Sequence, residues 1–233
     1  MREIIPAIIP KDFYDLQAKM SLVRKFVPLI QIDVMDGKLT PEPSWPYNVS
    51  YDKDFQEIAK EKKGFPHWEG MDFEADLMVL NPFTLWQDWF NAGAKRIIFH
   101  IESKTNWPLL IEEFKKHSVG KDLPFYTEIG FAIDIGTPNE VLSPIIVDAD
   151  FVQCMGIEHI GFQGEPFDER VIEKIKQIKK SYPEILISVD GGVSLDSAEK
   201  LISAGADRLV AGSAIFGSEN VEETIEEFQN LLK

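Results

Sequence analysis

A chain of 233 residues suits one large α/β domain, and a formal net charge of −15 argues against nucleic acid or an anionic membrane as partner. Hydrophobic residues at 44% and charged residues at 27% are ordinary for a soluble globular protein. Cys154 is the only cysteine, the first residues lack a long apolar h-region and no run approaches membrane-spanning length, so a reducing, cytoplasmic location is expected.

Short β-rich runs alternate with amphipathic helical patterns. Ile4 to Ile9 reads as a first strand interrupted by Pro6, and Phe13, Leu16, Met20 and Val23 mark one face of a helix. Leu29 to Met35 is a second strand that ends in Asp36-Gly37. A polar, Pro-rich loop follows from Thr40 to Asn48. Its position after a strand makes it the expected lid or specificity loop, with Trp45 at its centre. Tyr51 to Lys62 reads as helix, Phe73 to Leu80 as the third strand, and Asn81-Pro82 as a helix cap with proline at the first position. Arg96 to Ile101 gives the fourth strand and Pro108 to His117 a helix. Thr127 to Ile133 is the fifth strand, and Thr137-Pro138-Asn139-Glu140 has the form of a capping box that starts a helix. Phe151 to Met155 is the sixth strand. The loop from Gly156 to Phe167 carries Gly161 and Gly164, and Val171, Ile175 and Ile178 line the helix after it.

The stretch from Val189 to Phe216 reads strand, Gly-Gly turn, helix, strand, Gly-Ser turn, and Val221, Ile225, Phe228 and Leu232 make a last helical stripe. Eight such units in a chain of this length predict a single (β/α)8 barrel domain over residues 1–233, with a doubly wound open sheet as the alternative. The open sheet is disfavoured because no G-x-G-x-x-G follows the first strand. Gly191-Gly192 and Gly212-Ser213 end consecutive strands and leave backbone N–H groups uncovered. In a barrel, that is where a phosphate is held, and Ser213 to Gly217 is placed to be the short extra helix beside it.

Residues at the strand ends share one mouth. Gln31, Asp33 and Met35 alternate onto one face of the second strand. Asp76 and Met78 follow from the third, His100 and Glu102 from the fourth, Met155 from the sixth and Asp190 from the seventh. Converging buried carboxylates need a cation, shared protons or a proton-transfer role. The methionines are either pocket lining or core filler. His100 is either a pocket residue or hydrogen-bonded structure.

In these residues the chain resembles the ribulose-phosphate 3-epimerase family. The likeness runs in order through IIPAIIPKDF, QIDVMDG, EADLMV, IIFHIES, VDADFVQCMG, GFQGEPF, VDGGV and VAGSAIF. It implies inversion of the carbon next to a ketose-phosphate carbonyl through an enediolate stabilised by a divalent metal, with Asp33 and Asp190 as the two acid/base groups. It implies a phosphate held by Gly191, Gly192, Gly212 and Ser213, helped by Gly161 and Gly164. Met35, Met78 and Met155 would pack about the reacting carbons. His100, by its place at the end of the fourth strand, is a candidate substrate contact.

The chain also departs from the family pattern. Two histidines that hold the family's metal fall on Gln31 and Asp76, a serine common in the first strand falls on Ala7, and GFQGE replaces a GFGGQ run. The metal set implied here is therefore Gln31, Asp33, Asp76 and Asp190. All offer oxygen, which suits Mg or Mn better than Zn. Epimerisation without metal is a second reading, and a non-catalytic or differently specific phosphosugar-binding barrel a third. A lyase or synthase is weaker still, because no strand-end lysine suggests a Schiff base. The expected partner is a small sugar phosphate, and self-association into a homo-oligomer is left open.

Overall fold

The computed structural model describes residues 2–118, 120 and 126–233. Eight parallel strands close into a barrel in the order of the sequence. They are β1 (Glu3–Ile8), β2 (Leu29–Met35), β3 (Asp72–Met78), β4 (Arg96–His100), β5 (Glu128–Ile133), β6 (Phe151–Met155), β7 (Leu186–Asp190) and β8 (Arg208–Ala211). Around them lie α1 (Phe13–Val23), α2 (Lys53–Ala59), α3 (Trp86–Asn91), α4 (Trp107–His117), α5 (Arg170–Ser181), α6 (Leu195–Ala204), α7 (Ser213–Phe216) and α8 (Val221–Leu231).

Every residue of β2 is buried because both faces of a barrel strand are covered. Ile30, Ile32 and Val34 face the helices and join the large core that Leu16, Trp89, Phe114 and Phe228 also enter. Gln31, Asp33 and Met35, on the other face, point into the barrel. Capping defines where several helices start: Asp12, Asp52, Asn106, Ser194 and Asn220 each accept a backbone N–H of the first turn.

The barrel interior is plugged at its lower end. Arg96 pairs with Glu3 and Glu74 at 2.8 and 3.0 Å, and Arg208 with Glu3 and Glu128 at 2.9 and 3.0 Å. Above them the ring of Phe151 fills the bore, with the Arg208 guanidinium 4.6 Å from its centroid. Gly130 is glycine for that reason: a Cβ there would stand 2.4 Å from Phe151 Cζ. The lower end is therefore closed, and the open end lies at the C-terminal ends of the strands.

Three expected helices differ from the sequence reading. The Thr137 to Glu140 box begins only 3₁₀ turns, at Asn139–Leu142 and Ile146–Asp148, and neither has a side-chain cap. Pro144, two residues past the first turn, has no N–H to continue the ladder. Asn81-Pro82 likewise opens a 3₁₀ turn, Pro82–Thr84, before α3 begins at Trp86. The Tyr51 to Lys62 segment is helical only over Lys53–Ala59. Residues 121–125, just before the expected fifth strand, lie outside the described residues.

Candidate active site

Strand register sets the mouth. Asp33 stands directly beside Asp76 across β2–β3, Met35 beside Met78, and Met155 beside Asp190 across β6–β7. Asp33 and Asp190 enter from strands separated by β1 and β8 in the ring. Between them lies one amide: Gln31 Nε2 is 2.8 Å from Asp33 Oδ1 and 2.7 Å from Asp190 Oδ2. Gln31 Oε1 is buried without a hydrogen bond. Asp76 accepts from His100 Nε2 on Oδ1 and from Gln153 Nε2 on Oδ2, both at 3.0 Å.

Charge is crowded here. Burial, reinforced by the charges of Asp190 and Asp76, holds the Asp33 carboxyl well above the usual carboxylate range. Burial and then Asp76 push Asp190 up to about 7, while the Gln31 amide works in the opposite direction on both aspartates. Both shifts run the same way, so each carboxyl gives up its proton less readily than an ordinary one. His100 is fully buried. Burial works against its charge, but Asp76 and Asp134 outweigh it and hold the imidazole well above its ordinary range.

Above the aspartates opens a narrow cavity of about 50 Å³. Its walls include Asp33, Asp190, Met78 and Met155, together with Gly161, Gly164, Gly191, Gly192, Gly212 and Ser213. Gly191 and Gly192 have φ of +93° and +67°, a left-handed turn open to glycine with little strain. A Cβ on Gly192 would meet the Phe167 backbone at 2.6 Å, so the two loops approach as closely as atoms allow. The α7 turn Ser213–Phe216 follows β8 at the same rim.

Five predicted residues do not line this cavity. Met35 lies under the rim rather than on the wall, its Sδ 3.1 Å from where a Cβ on Gly161 would stand. Gln31 and Asp76 are wholly buried beneath the cavity. His100, expected to touch substrate, is instead behind Asp76 and bonded to it, because the inward face of β4 is reached only past Asp76 and Gln153. Trp45 is not a wall residue either. It is packed against Phe13, Phe55 and Trp89 on the helix side. Ser44 ties that loop down, accepting from Met35 N–H and donating to the Asp33 carbonyl at 2.9 and 2.8 Å.

Sequence reasoning missed Gln153 and Gln163. Gln153 sits at an inward position of β6 two residues before Met155, a period-two signal as legible as that of Gln31. Gln163 Nε2 lies 2.9 Å from the place of a Cβ on Gly212, over the glycine cup. Only its departure from a glycine pattern hinted at this.

A closed (β/α)8 barrel whose mouth sets three buried carboxylates beside a cup of glycine turns defines a class, the barrels that carry their site at the strand C-terminal ends. Within that class the chain belongs to the ribulose-phosphate 3 epimerase family, whose model matches residues 3–216. It is 31% identical over 228 residues to the cytoplasmic isoform of ribulose-phosphate 3-epimerase from Oryza sativa subsp. japonica, covering 96% of this chain and 91% of that one. It is 29% identical over 235 residues to the ribulose-phosphate 3-epimerase of Bacillus subtilis (strain 168), covering 98% and 99%. Solved barrels superpose at lower identity. The 3-hexulose-6-phosphate synthase of Salmonella typhimurium gives a TM-score of 0.70 at 16% identity over 100% of this chain and 98% of that one. The 3-keto-L-gulonate-6-phosphate decarboxylase of Vibrio cholerae gives 0.68 at 16% over 100% and 98%. The family relatives support an isomerase-type enzyme acting on a carbohydrate phosphate. Acidic and histidine side chains that could hold a metal are present. Among the described residues, no helix is long and apolar enough to cross a membrane.

Proposed function

We propose that this chain epimerises a ketose phosphate at C3, with a pentulose 5-phosphate as the first substrate to try. The observation that carries the reading is the Asp33–Asp190 pair, which approaches one cavity from separated strands and shares a single amide donor. Inversion needs a base on one face of the carbon and an acid on the other, and a carboxylate pair holding one proton supplies both. One aspartate takes the C3 proton, an enediolate forms, and the other returns a proton to the opposite face. The two exchange roles with reaction direction.

The substrate phosphate is assigned to the cup of Gly191, Gly192, Gly212 and Ser213, closed from above by Gly161, Gly164 and Gln163. That placement supports a sugar phosphate as ligand, and with a net charge of −15 the anion depends on local backbone dipoles. Met78 and Met155 give the reacting carbons an apolar wall that excludes water.

The site fits a hard divalent cation. Asp33, Asp76 and Asp190 offer oxygens within 4.8 Å of one another, and a flip of the Gln31 amide, whose Oε1 is orphaned, would complete an all-oxygen set. Such an ion would supply charge to stabilise the oxygens of the enediolate. One observation favours a second, metal-free reading: Gln31 places its nitrogen, a donor, between the two aspartates. There the Gln31 amide, together with the His100 ring nitrogen bonded to Asp76, offsets the carboxylates without an ion.

Ribulose 5-phosphate in deuterated water, followed by NMR, tests both. Deuterium at C3 with formation of xylulose 5-phosphate is expected. Asp33→Asn or Asp190→Asn should lower it by about 10²–10⁴-fold. Dependence on added Mn or Mg selects the first reading and indifference to metal the second. Absence of exchange with this and other ketose phosphates would overturn the proposal.

A further inference from the structure

Beside the aspartate cluster, toward β4 and β5, lies a second set of donors that the proposed reaction does not use. His100 ends β4, Glu102 follows two residues later, and Asp134 stands one residue past β5. His100 Nδ1, Glu102 Oε2 and Asp134 Oδ1 are all buried atoms with no hydrogen bond. Nδ1 is 3.9 Å from the Glu102 oxygen and 3.7 Å from the Asp134 oxygen. One donor atom from each residue falls within 4.8 Å of the others. Orphaned buried polar atoms are uncommon, and three that converge point to a shared partner.

We propose that His100, Glu102 and Asp134 form a second divalent-metal site, separate from the aspartate cluster and suited to a first-row transition ion such as Mn, Co or Zn. One imidazole nitrogen with two carboxylate oxygens is a borderline donor set, unlike the all-oxygen set of the mouth. The far side of the ring is already organised for it. Nε2 is bonded to Asp76 Oδ1 at 3.0 Å, and Gln153 holds the other Asp76 oxygen. A ligating histidine is commonly oriented in this way by a carboxylate behind it. With Nε2–H donated to Asp76, Nδ1 is the nitrogen that faces the acids.

The distances are close to those of a filled site. Ligand bonds of about 2.1 Å in a tetrahedron place donors about 3.4 Å apart, so each Nδ1–oxygen distance needs to close by only a few tenths of an ångström. The acids can make that adjustment, since their side chains are 20% and 31% exposed while His100 is fully buried. The same exposure leaves an entry path and room for water as a further ligand. Glu102 is steered by its other oxygen, which accepts the Asp134 backbone N–H at 2.9 Å. Local charge favours a cation too. Asp76, Glu102 and Asp134 surround one imidazole, and Lys174, near enough to interact with both outer acids, directs its ammonium to the Thr137 carbonyl and Asn139 Oδ1. A bare imidazolium or an ordered water is the competing occupant.

Cobalt(II) alone, added to tag-free, metal-stripped full chain, decides between them. The expected result is two bound equivalents by elemental analysis and a paramagnetically shifted imidazole N–H in the proton NMR spectrum, since the mouth set contains no histidine. A Glu102→Gln/Asp134→Asn variant, checked for fold by circular dichroism, should lose that resonance and one equivalent. Asp33→Asn should keep the resonance and lose the mouth equivalent instead. One equivalent with no shifted ring resonance, abolished by Asp33→Asn, would overturn this proposal and support the metal reading of the mouth. One equivalent with the resonance would support this site and remove metal from the mouth. No bound cobalt, or a resonance that survives in the double variant, would overturn it.

Discussion

Gln31 donates its side-chain amide to Asp190 at 2.7 Å, joining residues 159 positions apart in the chain. The same nitrogen reaches Asp33, so one neutral group reconciles two buried acids. It lowers the proton affinity of both. Gln31→Leu keeps the volume and removes the donor. The pair should then ionise at higher pH, and the ascending limb of the pH–rate profile should move upward. Two acceptors left without a donor should cost about 1–3 kcal/mol of stability at pH 8. Denaturant titration and pH–rate curves of the variant check both outcomes. An unmoved limb would show that the amide does not tune the pair.

The pH profile of the unaltered protein is itself diagnostic. Below neutrality both aspartates hold protons and no base is present. Well above it both are ionised and no acid remains. With Asp190 near 7 and Asp33 also raised, kcat/KM should be bell-shaped, with its acid limb near pH 7. If a cation sits among Asp33, Asp76 and Asp190, adding Mn should carry that limb to lower pH, because the ion favours the ionised carboxylates. A limb at the same pH with and without Mn would favour the metal-free reading.

The barrel was legible because its signal is repeated: eight apolar runs, each closed by a turn, leave little architectural choice. The strand-end residues followed from period two, which placed Asp33, Asp76 and Asp190 together before any coordinates. Depth was not legible. Periodicity gives the face of a strand but not what stands in front of it, so His100 was expected on the wall and lies behind Asp76. Trp45 misled for a related reason. Its loop follows β2 at the mouth, but an indole packed against Phe13, Phe55 and Trp89 anchors the loop from the helix side. The 3₁₀ turns after β5 show the weakness of a local cap signal with a proline shortly beyond it.

At the closed end, burial pushes Glu74 up to about 7 despite its pair with Arg96. A carboxyl whose proton affinity is raised by folding stabilises fully below its unfolded value, and that contribution is lost as pH rises through the folded value. Glu74 therefore makes the protein less stable between about pH 4 and 7 as pH increases, by about 3 kcal/mol at most, since each tenfold in proton affinity is worth about 1.4 kcal/mol. Glu74→Gln should flatten this part of the stability curve. Urea midpoints at pH 5 and 7.5 for both proteins check it, and parallel slopes would place the effect elsewhere.

The glycine cup is best tested at Gly212. Gly192 is a poor choice because a Cβ there meets Phe167 backbone at 2.6 Å in a left-handed turn, so a variant would report misfolding. At Gly212 the nearest atoms are Gln163 Nε2 at 2.9 Å, the end of a flexible side chain, and the Ala7 carbonyl at 3.1 Å. Gly212→Ala should therefore fold with a loss of about 1 kcal/mol or less while placing a methyl group where the phosphate is assigned. KM for the sugar phosphate should rise about tenfold or more with kcat little changed, the pattern of lost uniform binding. Inhibition by inorganic phosphate should weaken in parallel, which separates the cup from the sugar end of the cavity. A KM unchanged in a folded variant would mean that the phosphate is held elsewhere, and the assignment of Asp33 and Asp190 to C3, two carbons from the phosphate-bearing carbon, would have to be redrawn.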